Sequence, residues 1–261
     1  MLMLTHTWIL KEFLGSDFRD HLDLYIYNIC PDLLPIHKCI TSEYTHGIPR
    51  IYQYPPEYKK AAFVLFHLLV DDIAHHGRIS TEPIRCFNPD SQGYAYLRGQ
   101  TLIKPIMDFY NRIGLEINYS KAAYRAHMII ELTFDLRLNQ EREQEKLFEL
   151  FSEAVYHTAD KKMDELCTTL DWIFGLDTVK IRQALEKGLS SHTLDKMKHL
   201  LNIEGRIGFY IDRFGLNRKD DPTWAGTRTL LLQGMQLVSD YDAFLHPTLN
   251  AIRNSGFSSS L

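Results

Sequence analysis

The sequence predicts an all-α fold, a multi-helix bundle forming one domain over residues 1–261. Three observations predict it. Apolar residues recur every three or four positions through most of the chain, Gly and Pro punctuate segments of roughly ten to thirty residues, and no run of short alternating strands occurs. Residues 1–140 are read as the half that carries chemistry, 141–254 as helices completing the core or forming a surface that shapes substrate access, and 255–261 as a frayed tail.

Taken in order, a short helix is expected over residues 3–14 and a second over 17–29, where Leu22, Leu24, Tyr25 and Ile29 share a side and Pro31 and Pro35 end the run. From Pro31 to Pro56 the chain is rich in Pro, Thr, Ser, Gly and Tyr without a clear period, and reads as a long ordered loop. Residues 57–76 form the most apolar helix, with Gly77 placed to stop it. A polar loop with Asn88, Pro89, Asp90 and Gly93 precedes helices at about 99–112 and 118–138. The segment 141–174 reads as one long amphipathic helix or a kinked pair, followed by helices at about 177–189, 192–213 and 224–253, with Gly188 and Gly215 as breaks.

Composition narrows the function. Lys and Arg total 29 against 33 Asp and Glu, a formal charge of −4, so no cationic excess exists to neutralise a duplex backbone. No stretch reaches the ~20 apolar residues of a transmembrane helix. The N-terminus interrupts its apolar residues with Thr5, His6, Thr7, Lys11 and Glu12, unlike a secretory signal, and Cys30, Cys39, Cys86 and Cys167 form no CxxC pair. A cytoplasmic protein is expected.

The 12 histidines are the most informative count. In the apolar helix, His67, Asp71 and His75 stand at i, i+4 and i+8, and each step of four turns only ~40° around the helix, so all three share a face. Their neighbours include Phe63, Phe66, Leu68 and Val70, among which an ionised Asp71 would be costly without a cation. His127 and Glu131 repeat the i, i+4 pattern on a second apolar helix, with Asp135 one turn on. Asp32 and His46 lie in the proline-stiffened loop, and His6 sits between threonines near the N-terminus. Each pair alone has an ordinary reading, as a solvated helix end, a turn residue or a surface pair; together they point to a divalent metal site.

In chain order, His6, Asp32, His46, His67, Asp71, His75, His127 and Glu131 resemble the ligand series of the zinc-dependent phospholipase C family and the related single-strand-specific zinc nucleases, over roughly the first half of the chain. The resemblance implies a mostly helical domain with two or three zinc ions, other divalent metals being possible occupants. Asp32, His46, His67 and Asp71 would hold one ion and His75, His127 and Glu131 a second, while His6, with Asp71 as a bridge, would fall at a third. Secreted members of that family begin with a tryptophan whose amine and carbonyl bind the third metal; this chain has Met1, with Trp8 two residues past His6. His76 is the alternative to His75, which helical phase favours.

The expected activity is hydrolysis of a small phosphoester by a metal-activated water, with Asp32 as the catalytic group that orients or deprotonates it. By resemblance the substrate is a phospholipid headgroup ester. An HD-type phosphohydrolase would need an adjacent His-Asp pair, which is absent, and a di-iron bundle would need paired ExxH motifs where only Glu43 and His46 match. The alternative is a non-catalytic helical metal-binding or ligand-binding protein that keeps the framework. Arg50 and Arg78 are candidates to receive phosphate or plain surface residues, and Tyr25, Tyr27, Tyr44, Tyr52 and Tyr54 could wall a choline-like cation, though packing of the loop against helices is the favoured reading. His157, His192, His199 and His246 are read as structural or surface residues.

Overall fold

Helix boundaries follow the side chains that supply or withhold backbone partners. In the computed structural model, which describes residues 3–83, 88–192 and 194–257, the chain is 76% helix, with no strands among the described residues. The helices are α1 (Met3–Leu14), α2 (Leu22–Leu33), α3 (Ser42–His46), α4 (Ala62–His76), α5 (Tyr94–Arg112), α6 (Tyr119–Glu141), α7 (Leu147–Lys161), α8 (Met163–Phe174), α9 (Thr178–Ser191), α10 (Leu194–Lys198), α11 (Ile203–Arg213), α12 (Asp221–Leu237) and α13 (Asp242–Arg253).

Several boundaries depart from expectation. Pro31 does not end α2 but lies inside its last turn; the carbonyl of Tyr27, which loses its usual i+4 donor there, accepts the Cys30 thiol at 3.2 Å. The following loop is not wholly irregular. It holds a 3₁₀ turn over Leu34–His37 and then α3, which Thr41 opens by accepting the Tyr44 amide at 3.2 Å. A 3₁₀ turn over Pro56–Ala61 leads into α4, and Gly77, at φ 74°, closes that helix as expected.

Helix α5 starts earlier than the periodicity suggests because Gly93 lies against the end of α4. Its amide donates to the His75 carbonyl at 3.0 Å, and a Cβ at this position would fall 2.0 Å from the His75 carbonyl carbon. The 141–174 segment resolves as the kinked pair α7 and α8, broken at Lys162. Gly188 marks no break: it lies inside α9, where a Cβ would come 3.0 Å from the Leu33 carbonyl oxygen. The expected 192–213 and 224–253 helices each divide, the first at Asn202, which caps α11 through the Gly205 amide, and the second between Leu237 and Asp242. The tail is not frayed throughout, since Phe257 is buried against Phe13, Phe63 and Phe66; residues 258–261 lie outside the described residues.

One contiguous apolar cluster runs from Leu4 to Phe257. Helix α4 is its axis, with every residue from Ala62 to Asp72 buried. Helix α2 packs against α4 and α7, α1 against α2, α6, α7 and α13, and α5 and α6 form a long hairpin covered by α12. This arrangement sets the polar faces of α2, α4 and α6 toward one interior space. No helix among the described residues is long and apolar enough to cross a membrane.

Candidate metal centre

Residues scattered from position 6 to 131 converge on a cavity of about 660 Å³ whose lining includes Asp32, His46, Asp71, His75, His127 and Glu131. His67 is fully buried behind it and His6 is likewise at 0% exposure. All eight expected ligands therefore come together in three groups, the first two sharing His67: Asp32, His46 and His67; His6, His67 and Asp71; and His75, His127 and Glu131.

The first group has the dimensions of a coordination sphere. Metal–ligand bonds of 2.0–2.2 Å in a tetrahedron place neighbouring ligand atoms about 3.3–3.6 Å apart. Here His46 Nε2 lies 3.5 Å from Asp32 Oδ1, 3.4 Å from Asp71 Oδ2 and 3.3 Å from His67 Nε2. His67 Nε2 lies 3.4 Å from Asp71 Oδ2 and 3.9 Å from Asp32 Oδ2. Charge-assisted hydrogen bonds would bring such atoms to about 2.7–2.9 Å. The Asp71 carboxylate divides its oxygens, Oδ2 toward His46 and His67 and Oδ1 toward His6 Nε2 at 3.3 Å, as a bridging carboxylate does. Among the described residues, neither ring nitrogen of His6 has a hydrogen-bond partner, nor does His67 Nδ1, although all are buried. Orphaned nitrogens of this kind cost about 1–3 kcal/mol each unless something else engages them. The donor set therefore fits a divalent cation, with imidazole nitrogen and carboxylate oxygen as ligands.

The second group is closed on itself. His75 Nε2 donates to Glu131 Oε1 at 2.8 Å, and the His127 ring stands 5.7 Å from that of His75, nearly perpendicular to it. Tyr96 stacks on His127 at 4.8 Å. The choice between His75 and His76 falls to His75: His76 turns away and engages Ser91 Oγ through Nδ1 at 2.9 Å.

Electrostatics follow from burial against charge. Burial pushes His67 and His127 down to about 4, so both rings are neutral at pH 7 and their lone pairs are available. For His46 burial acts downward too, but Asp32 and Asp71 overcome it and push the ring up to about 10. The site thus holds surplus negative charge that a proton or a metal must balance. Burial opposes ionisation of Asp71 and Glu131, yet nearby positive charge, to which the histidines add, keeps both carboxylates below their usual range.

Supporting contacts hold these ligands. His46 Nδ1 lies 2.8 Å from the Ser42 carbonyl, which can only accept, so Nδ1 carries the proton and Nε2 faces the site. Arg50 does not wait for phosphate, as its sequence position allowed. It clamps Asp72 through two bonds of 2.7 and 3.2 Å and donates to the carbonyls of His46 and Ile48, tying the His46 loop to α4. Arg78 is exposed and outside the cavity lining. Asp135 is no ligand: it accepts the Leu4 and Thr5 amides, each at 3.0 Å, and caps α1, the helix that carries His6. Met1, on which a third metal position turns, and Cys86 lie outside the described residues.

The tyrosines pack, the favoured of their two readings, and do not wall the cavity. Tyr25 and Tyr27 are fully buried, and none of the five tyrosines lines the cavity; Tyr96 and Tyr124 do. The second half also shapes access to the site: His192, Arg206, Phe209 and Arg213 line the same space, though the spacing had not singled them out for it. The positions 206, 209 and 213 share one face of α11, a signal present in the spacing but the same as that of any amphipathic helix. Comparison with protein-family models, with curated proteins and with solved structures returned no match.

Proposed function

We propose that this protein is a metal-dependent hydrolase of phosphoesters. The observation that carries the reading is the Asp32, His46, His67 and Asp71 group, whose ligand atoms are spaced as around a tetrahedral cation, with Asp71 turned to bridge toward His6. These four residues would hold one ion and His75, His127 and Glu131 a second, and His6 with Asp71 offers part of a third position. Zinc suits this nitrogen-rich set; manganese and iron share its chemistry. When bound, such ions lower the pKa of water toward ~7 and neutralise phosphoryl charge.

The chain's own residues supply the rest. Asp32 is the most exposed of the carboxylates, with its side chain 43% accessible against 8% for Asp71. The histidines beside it keep its carboxyl below the usual range. It is therefore placed to accept a proton from water entering from the cavity side. The pocket volume suits a small substrate, and apolar Met3, Ile36, Met128 and Phe209 surround the polar floor. A phosphodiester with an apolar or headgroup substituent matches that lining, and by the ligand-order resemblance the class is a phospholipid headgroup ester.

The test is metal analysis of the purified protein with a chromogenic phosphodiester assay after reconstitution with zinc, manganese or iron. At least two equivalents of metal and metal-dependent turnover are expected. Absence of both overturns the reading; metal without turnover on any phosphoester leaves a non-catalytic metal-binding protein.

A further inference from the structure

Two buried arginines flank the ligand groups, and they are used differently. Arg50 is locked in its paired bonds to Asp72. Arg206, on α11, is only 2% exposed and lines the cavity, yet among the described residues its guanidinium makes no hydrogen bond. Its one charged neighbour is Asp135 Oδ2, at 3.9 Å. That carboxylate is already engaged by the Leu4 amide, the Thr5 amide and the Thr5 hydroxyl, so little of its capacity remains for Arg206. A guanidinium carries five N–H donors in a rigid fork, and burying it without acceptors is costly.

Position gives the missing acceptor its identity. Asp135 follows Glu131 by one turn of α6, so Arg206 stands about 6 Å along that helix from the second ligand group. The acceptor must enter through the cavity, must be anionic, and must sit beside the site's metal ligands. A tetrahedral oxyanion meets all three conditions, and the fork geometry of arginine matches it.

We propose that Arg206 is the anion-binding residue of this cavity, receiving the non-bridging oxygens of a phosphoryl group at the inner end of the pocket beside His75, His127 and Glu131. This rests on the phosphoesterase reading and adds to it a group, outside the metal-ligand set, that selects an anionic tetrahedral centre. Arg213, two turns further along α11, is exposed at the same cavity and serves as the comparison.

The test uses the full chain, metal-loaded, with inorganic phosphate and a dialkyl phosphate as calorimetric probes on wild type, Arg206→Gln, Arg206→Lys and Arg213→Gln. Arg206→Gln is expected to weaken phosphate binding roughly ten- to a hundredfold. Arg206→Lys, which keeps the charge but not the fork, should lose several-fold, and Arg213→Gln less than about threefold. An equal loss for both probes assigns Arg206 to the phosphoryl group itself; a loss for inorganic phosphate alone assigns it to the released product. Unchanged affinity for both probes in either Arg206 variant, with metal content retained, overturns the proposal. Should Arg206→Gln fail to fold, Arg206→Lys decides. Should the protein take up no metal, the function reading falls separately, and the proposal is read from whether phosphate raises the melting temperature of wild type but not of Arg206→Lys.

Discussion

The two ligand groups of the cavity meet the same problem in opposite ways. In the first, His46 and His67 stand 3.3 Å from each other and 3.4–3.9 Å from Asp32 and Asp71, held open by contacts outside the group: the Arg50 clamp on Asp72 and the Ser42 carbonyl behind His46. In the second, His75 closes on Glu131 at 2.8 Å, a hydrogen bond made within the group. A group held apart by its scaffold keeps its electrostatic demand until a cation arrives. A group that can collapse must first break a hydrogen bond, so its ion should be the weaker and more exchangeable of the two.

The largest expected effect comes from Asp71, which faces three histidines. Asp71→Asn should remove the metal of the first group and lower kcat/KM on a phosphodiester by on the order of a thousandfold or more. His127→Ala should instead cost one equivalent of metal and leave the tighter ion in place. Competition with a graded series of chelators reads both; equal loss of all metal in the two variants would erase the distinction between the groups.

Arg50→Ala tests whether the first group is held open from outside. The variant keeps every ligand but frees the His46 loop, and a loss of about 10- to 100-fold in affinity at the tighter site is expected, with the weaker site unaffected. Unaltered affinity at both sites would mean that the ligands are ordered by one another and not by the clamp.

The smallest effect is in stability against pH. In metal-free protein, His67 and His127, at about 4 in the fold against an ordinary 6.5, contribute stability that is present above pH 6.5 and is lost as the pH falls toward 4. His46 has the opposite sign: raised to about 10, its contribution is complete below 6.5 and disappears as the pH rises toward 10. The melting temperature of chelator-treated protein should peak near neutrality and fall on both sides by an amount worth a few kcal/mol. Metal loading should flatten the alkaline side, because the ion replaces the proton on His46. A metal-free profile flat from pH 4 to 10 would show that these rings are not buried as described.

Legibility differed with the range of the interactions involved. Helix α1 and the Gly77 stop were readable because periodicity and a C-terminal glycine act locally. The early start of α5 at Tyr94 was not, because it depends on Gly93 meeting the end of α4. Pro31 misled for a related reason: a local rule ends the helix there, while the Cys30 thiol and the packing of α2 on α4 carry it through. Among the site residues, the i, i+4 pairs on α4 and α6 were visible in the spacing. The separate duties of Asp71 and Asp72, of His75 and His76, and of Glu131 and Asp135 were not, because similar side chains close in sequence point to different partners.

By itself, the sequence determined the helical class and the placing of imidazoles and carboxylates on the apolar helices α4 and α6. These are properties of periodicity and of the cost of burying charge, both of which act within a few residues. Only the tertiary structure decided that His6, Asp32, His46, α4 and α6 meet at one cavity, that Arg50 is occupied while Arg206 is open, and that α11 covers the site. Those outcomes depend on contacts between residues tens to more than a hundred positions apart, and no local pattern specifies the angle at which one helix crosses another.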